Sequence, residues 1–315
     1  RRCGHASGTK MTSRSLSGHR RGVRPPAGHD GNSRHESEVI AWYSIVVTST
    51  KKLSRQTKEP AMYALEGKKA LIVGIANEYS IAWGCAKAMK AQGADLAITW
   101  LNEKAEPHVR PLAEQLGAEI IGPLDVSQPG QTEEFFAAIA ERWGRLDVLL
   151  HSIAFAPKAD LHARVVDCSA EGFATAMDVS VHSFLRMVRL AEPLMTDGGT
   201  CLSVSFFGSS RVVRHYNMMG PVKAALESVV RYAAAELGEK GIRVHALSPG
   251  PLATRAASGI DHFDELLSQA AERAPTHHLA TIDDVGAMAA FLASAGARNM
   301  TGGVHDIDGG YSITA

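Results

Sequence analysis

Tyr216 and Lys223 are the two residues of this chain whose types and spacing most directly suggest chemistry. If the run from Tyr216 to Glu239 is one helix, the seven-residue step is almost two turns, and both side chains share a face with Cα atoms about 10.5 Å apart. An ammonium near a phenol lowers its pKa and lets it stabilise or protonate an oxyanion, while the same ammonium can hold a sugar hydroxyl. That is the chemistry of an oxidoreductase. A packed tyrosine and a solvated lysine would give the same spacing, so the pair needs elements that bring it to a site.

Those elements are legible from Lys69 onward, where short β-branched apolar runs alternate with helical stretches. The pattern predicts strands over about 69–74, 95–100, 119–124, 147–153, 200–206, 242–248 and 303–307. Helices are expected over about 80–92, 104–116, 130–143, 169–195, 216–239 and 283–294. Runs that are apolar on both faces and joined by helices call for a parallel sheet covered on both sides, and right-handed crossovers make it a doubly wound, Rossmann-like α/β fold. No internal linker or repeat interrupts it, so residues 62–315 read as one domain.

In such a sheet the ligand sits beyond the carboxyl ends of the strands. The first loop there is Gly74-Ile75-Ala76-Asn77-Glu78-Tyr79-Ser80-Ile81-Ala82-Trp83-Gly84. Gly74 permits a sharp turn, and a helix starting near Ser80 would offer its free N–H groups and positive dipole end to a pyrophosphate. Ser80 would equally serve as a simple N-cap. Beyond the second strand, Trp100-Leu101-Asn102-Glu103-Lys104 place neither a carboxylate nor an arginine at the strand end, and the absence of an arginine favours NADH over NADPH. Asp125 and Val126 end the third strand, where the aspartate could also cap a helix.

Composition separates two pieces. The chain is 45% hydrophobic, 21% charged and formally neutral. Residues 1–61, however, carry 12 Lys/Arg against 4 Asp/Glu, net +8, and the remainder carries 21 against 29, net −8. The first piece is rich in Arg, Ser, Gly and His and has no sustained apolar periodicity, so it reads as a disordered basic extension. A gene start placed too early, an organelle leader and a nucleic-acid-binding tail are the three readings it admits. Its one apolar run, 39–47, is far shorter than the roughly 20 residues that span a bilayer. Cys3, Cys85, Cys168 and Cys201 lie far apart, and His277-His278 has no ligand-spaced companion. This pattern argues against a metal site or a disulfide framework and suits a reducing cytoplasm.

Taken with Gly74 to Gly84, three further motifs carry a resemblance: His151-Ser152-Ile153-Ala154-Phe155-Ala156, Tyr216 to Lys223, and Ser248-Pro249-Gly250-Pro251-Leu252-Ala253-Thr254. Over about residues 65–313 the chain resembles the short-chain dehydrogenase/reductase superfamily. Within it, the chain is similar to the NADH-dependent enoyl-acyl carrier protein reductases of bacterial fatty-acid synthesis, which use Tyr-x6-Lys where ordinary members use Tyr-x3-Lys. The resemblance implies reduction of a trans-2-enoyl thioester carried on acyl carrier protein. Tyr216 would donate to the thioester oxygen and Lys223 would hold the nicotinamide ribose. Gly74, Ser80, Ile81, Leu101, Asp125, Val126 and Ile153 would line the cofactor, and Leu252, Ala253, Thr254, Arg255 and Ala256 would close over its nicotinamide. Phe155, Ala156, Phe206, Met219, Ile260 and Phe263 would form the acyl pocket.

Two departures from the family pattern stand out. A second tyrosine, ten residues before the first, is replaced by Phe206, which keeps the ring and loses the hydroxyl. Asp261-His262-Phe263-Asp264-Glu265 stands where relatives tend to carry Lys and Arg that meet the acidic carrier. The competing readings are a carbonyl reductase, whose serine and tyrosine positions are here Phe206 and Met219, and a non-catalytic dinucleotide sensor. The resemblance also implies a homotetramer, without nucleic acid or membrane as partner.

Overall fold

The computed structural model describes residues 62–252, 254 and 263–314, so the expectation for residues 1–61 lies outside the described residues. Seven parallel strands form one sheet: β1 (Lys69–Val73), β2 (Asp95–Trp100), β3 (Ile120–Pro123), β4 (Val148–His151), β5 (Gly199–Val204), β6 (Ile242–Pro249) and β7 (Val304–Ile307). Their spatial order is β3-β2-β1-β4-β5-β6-β7. The order reverses between β1 and β4, and this switch point is where an open α/β sheet leaves a crevice for a ligand.

Strand periodicity decides which residue meets which layer. On β1, Leu71 and Val73 face a layer built from α3 (Gln131–Trp143), α6 (Ser183–Ala191) and α7 (Met219–Leu237), with Phe136, Phe184, Met187 and Leu226 in that core. Ala70 and Ile72 face the opposite layer of α1 (Ile81–Ala91), α2 (Glu106–Gln115) and α9 (Ile282–Ala293), where Trp83, Met89, Val109 and Leu292 pack. Three further helices, α4 (Lys158–His162), α8 (Phe263–Arg273) and α10 (Tyr311–Thr314), lie outside the helical stretches that the sequence predicts. Among the described residues no helix is long and apolar enough to cross a membrane.

Two expected helices differ from the structure. The stretch 169–195 is not one helix: α5 (Ala170–Met177) passes into a π-helical turn, Asp178–His182, before α6, and Glu192–Leu194 closes in a 3₁₀ turn at Pro193. A π-turn accommodates an extra residue and is held open by outside partners. Here the Ser180 hydroxyl accepts from the Phe155 N–H at 3.0 Å and donates to its carbonyl at 3.1 Å. The second difference is that α7 starts at Met219, not Tyr216. Pro221 has no N–H to give to the Asn217 carbonyl, so it is tolerated only in a first helical turn, and the residues before it form tight turns instead.

At the amino ends of the strands, the buried Asp147 carboxylate accepts from Lys68 Nζ and the Lys69 N–H, each at 2.9 Å, and from Arg145. Burial alone would raise its pKa, yet these donors outweigh it and hold the group below the usual carboxylate range. The two layers are also set by contact. Helices α1 and α9 cross where a Cβ on Gly84 would lie 2.0 Å from the Ile282 carbonyl oxygen, and one on Gly286 would lie 2.3 Å from the Gly84 oxygen. We expect Gly84→Ala or Gly286→Ala to lower stability by about 1–3 kcal/mol through overpacking, against the helix propensity that favours alanine. Urea unfolding measures it, and an unchanged or raised midpoint would contradict this packing.

Candidate active site

The strand ends leave a cleft of about 370 Å³ with an apolar lining. Ile81 contributes from the start of α1, Ser152 to Ala156 from beyond β4, Val204 to Phe206 from the end of β5, Tyr216, Met219 and Lys223 from α7 and its entry turn, and Pro249 to Leu252 with Thr254 from beyond β6. Of the residues the sequence singles out, Ile81, Ile153, Phe155, Ala156, Phe206, Tyr216, Met219, Lys223, Leu252 and Thr254 therefore share one cavity.

Tyr216 reaches this cleft from a turn, not from a helix face. Its neighbours His215 and Asn217 have φ of 64° and 44°, a left-handed backbone that non-glycine residues adopt at a cost of order 1–3 kcal/mol each. Asn217 is held by donating Nδ2–H to the Leu161 carbonyl at 2.8 Å. The Tyr216 ring lies 4.8 Å from that of Phe206, centroid to centroid, and packs over Gly208, where any Cβ would come within 2.7 Å of it. Burial, reinforced by the negative charge of Glu227, raises the phenol's pKa. The expectation of a lowered value is thus overturned: desolvation of a would-be phenolate comes first, the Glu227 charge adds to it, and the group remains a protonated donor.

Lys223 is buried and donates Nζ–H to the Val204 carbonyl at 2.6 Å. Burial pulls its pKa down to about 8, with Glu227 opposing that drop. Ser205 and Glu227 are the residues that the sequence reading leaves out. Glu227 follows Lys223 by one helical turn, a spacing that could have drawn attention to it.

The remaining predicted positions lie outside the cleft lining. Gly74 has φ of 109°, and a Cβ there would meet the Ser152 carbonyl oxygen at 2.1 Å, so the turn between β1 and α1 must stay bare. Ser80 does not cap α1: its Oγ accepts instead from the Ala76 and Asn77 N–H groups at 3.0 and 3.1 Å, and shapes the preceding loop. The first N–H groups of α1 are left without a side-chain cap, which is the donor set that a bound pyrophosphate would use. Leu101 is 53% exposed just beyond β2. Asp125 does not cap a helix either, because α3 has Gly130 as its N-cap; its carboxylate accepts from the Ser127 N–H at 2.9 Å. Val126 is buried and its carbonyl accepts from Arg186 at 2.7 Å. Ala253, Arg255, Ala256 and Ile260 lie outside the described residues, and Phe263 begins α8.

Beneath the cleft, His151 is fully buried, with Nδ1 3.1 Å from Ser203 Oγ and Nε2 2.8 Å from Ser183 Oγ. Burial, and then the charge of Lys223, pull its pKa down to about 3. His245, against His305 with their ring nitrogens 3.0 Å apart, is pulled down to about 4 by burial first. Both are neutral in the fold and become protonated near pH 6.5 when unfolded, so the unfolded state binds more protons below that pH. Stability should fall as pH drops from about 6.5 towards 4, with each histidine adding about 1.4 kcal/mol per pH unit to the slope. Denaturant unfolding across that range should show the slope reduced by one proton in His151→Gln. An identical slope would place the titration elsewhere.

The comparisons with known proteins agree with this geometry. A family model described as "Enoyl-(Acyl carrier protein) reductase" matches residues 74–312. Enoyl-[acyl-carrier-protein] reductase [NADH] 1 of Rhizobium meliloti is 43% identical over 247 residues, 78% of this chain and 91% of that protein. The NADH-dependent enzyme of Rickettsia felis is 44% identical over 249 residues, 79% of this chain and 96% of its own. Among solved structures, the Anaplasma phagocytophilum reductase in complex with NAD superimposes with a TM-score of 0.77 at 45% identity, covering 80% of this chain and 96% of that one. With the strand order, the cleft and the Tyr216–Lys223 spacing, these matches place the chain in the enoyl-(acyl carrier protein) reductase family.

Proposed function

We propose that this protein reduces the trans-2 double bond of enoyl thioesters, presented on acyl carrier protein, with NADH, as a step of fatty-acid synthesis. The observation that carries the reading is the convergence of Tyr216 and the buried Lys223 on one apolar cleft whose ordinary carbonyl-reductase positions are Met219 and Phe206. NADH, when bound, supplies the hydride. Gly74 and the uncapped start of α1 would hold its pyrophosphate, Leu101, Asp125, Val126 and Ile153 would flank the adenosine half, and Lys223 would hold the nicotinamide ribose. We assign the segment from Leu252 to Ala256 to the nicotinamide side.

Reduction at the β-carbon of an enoyl thioester places charge on the thioester oxygen three bonds away. A protonated phenol aimed at that oxygen stabilises it, and its raised pKa suits a hydrogen-bond donor better than a base. Tyr216 takes this role. Ala156, Phe206 and Met219, with Ile260 and Phe263, form the apolar surface for the acyl chain and exclude water from the reacting atoms. Phe206 supplies ring packing to Tyr216 and no second hydroxyl, so proton delivery relies on Tyr216 and solvent.

Three finer assignments accompany this reading. A domain spanning residues 62–315, cytoplasmic location and assembly as a homotetramer fit the unpaired Cys85, Cys168 and Cys201 and the exposed Phe173, Leu185 and Tyr232 on α5, α6 and α7. Large apolar residues left exposed on helices are often covered by a partner subunit when they form a continuous patch.

Purified protein with NADH and crotonyl thioester, followed at the nicotinamide absorbance, tests the activity directly; no oxidation of NADH would refute it. Tyr216→Phe should lower kcat by roughly 10²-fold with little change in NADH affinity, since the interaction lost is made mainly in the transition state. Lys223→Ala should weaken NADH binding as well. Small, equal effects from the two would show the site to be elsewhere. A further expectation concerns Asp264 and Glu265, exposed in the first turn of α8, where a helix dipole favours acids. Changing both to Lys should raise kcat/KM for carrier-bound enoyl chains and leave coenzyme A thioesters unaffected, with the gain shrinking as salt rises. An unchanged carrier-bound rate would mean that docking uses another surface.

A further inference from the structure

We propose that Glu227 is a positioning residue for cofactor binding, which keeps the Lys223 ammonium charged and fixed by gripping the end of β5 through Ser205. This rests on the reading of Lys223 as a cofactor residue.

The geometry is a paired clamp. Val204 and Ser205 are consecutive residues at the carboxyl end of β5, and both are buried. Lys223 Nζ donates to the Val204 carbonyl at 2.6 Å, and the Ser205 hydroxyl donates to Glu227 Oε1 at 2.5 Å. Lys223 and Glu227 are four residues apart on α7 and so lie one above the other. The last residue of β5 and the one after it are thus held by two helix residues of opposite charge, one turn apart. The hydroxyl-to-carboxylate bond is of the short, charge-assisted kind, roughly twice as strong as a neutral one. Through it the carboxylate is fixed on Ser205 rather than collapsed onto the ammonium, which leaves the remaining Lys223 donors for a ligand in the cleft.

The electrostatics point the same way. The groups whose charge reaches this cluster are Glu227 and Lys223 on α7, His151 on β4 and Tyr216 in the turn before the helix. Within that set the histidine is neutral at working pH and the phenol is protonated, so Glu227 alone supplies negative charge. An ammonium in a buried site loses its proton readily unless an opposite charge stands near it. Glu227 opposes that loss, which burial has brought to about pH 8.

The test is NADH binding, measured by nicotinamide fluorescence from pH 6 to 9.5, on the full chain. In the native protein, affinity should fall as pH rises through about 8. In Glu227→Gln, which keeps the shape and can still accept from Ser205, the same fall should come about one pH unit lower, as expected for removal of one nearby charge. Glu227→Asp keeps the charge and should restore the native midpoint even if its affinity is lower throughout. Thermal melting at pH 7 confirms that each variant is folded; should Glu227→Gln not fold, Ser205→Ala, which frees the carboxylate to move, should still displace the midpoint. A uniform loss of affinity at every pH, with an unmoved midpoint in these variants, would make Glu227 a purely structural residue and overturn the proposal. A native protein that binds no NADH at any pH would instead overturn the assignment of Lys223 to the cofactor.

Discussion

A buried ammonium is the constraint around which this fold is arranged. Moving a cation out of water costs several kcal/mol even after relaxation, so Lys223 persists only because the chain brings partners to it. The Val204 carbonyl, at the last residue of β5, accepts from the lysine, while the next N–H, that of Ser205, still pairs with the Leu247 carbonyl of β6. The carboxylate is available because α7 continues unbroken for a full turn past the lysine. Met219 and Phe206 line the same cleft as the ammonium and give its surroundings an apolar character. The same low dielectric keeps the Tyr216 phenol protonated and the His151 imidazole neutral, so one desolvated region sets three protonation states at once.

Much of this was legible in the sequence, and what was not has a common cause. Strand positions and the parallel, two-layer sheet followed from runs such as Lys69–Val73, whose apolar residues fill both faces. The cleft membership of Ile81, Ile153, Phe206 and Met219 was implied by the family resemblance, and that of Tyr216 and Lys223 was also suggested by their residue types and spacing. Most of the misplaced features depend on partners that periodicity does not reveal, whether near or far along the chain. The break after Met177 needs Phe155 to hold Ser180, and the absence of a cap at Ser80 needs the Ala76 and Asn77 amides to claim its hydroxyl. The start of α7 was an exception, because Pro221 announces it locally. The direction of the Tyr216 shift was missed because the sequence shows a nearby lysine but not the burial that overrules it.

The residues assigned to the cofactor and the substrate come from both sides of the switch point. Gly74 and α1 belong to the half of the sheet containing β1 to β3, whereas Lys223, Tyr216 and Ser205 belong to the half beyond β4. Ser152, whose carbonyl occupies the space that a side chain at residue 74 would need, joins the two. On the proposed reading the first half would take phosphate and sugar and the second the reacting atoms, with the loop after β4 between them.

The strand order also bears on how the molecule is made. Because β1 lies between β2 and β4, its second edge stays open until residues near Asp147 and His151 have left the ribosome, and synthesis at 5–20 residues per second makes that interval several seconds. During it, β1, β2 and β3 can pair among themselves while one apolar strand edge waits uncovered, a state open to mispairing with other nascent chains. The aspartate that then arrives binds Lys68 and Lys69, about 80 positions earlier. It acts as a latch for register: the carboxylate meets the Lys69 amide only when β4 stands alongside β1 in its final alignment.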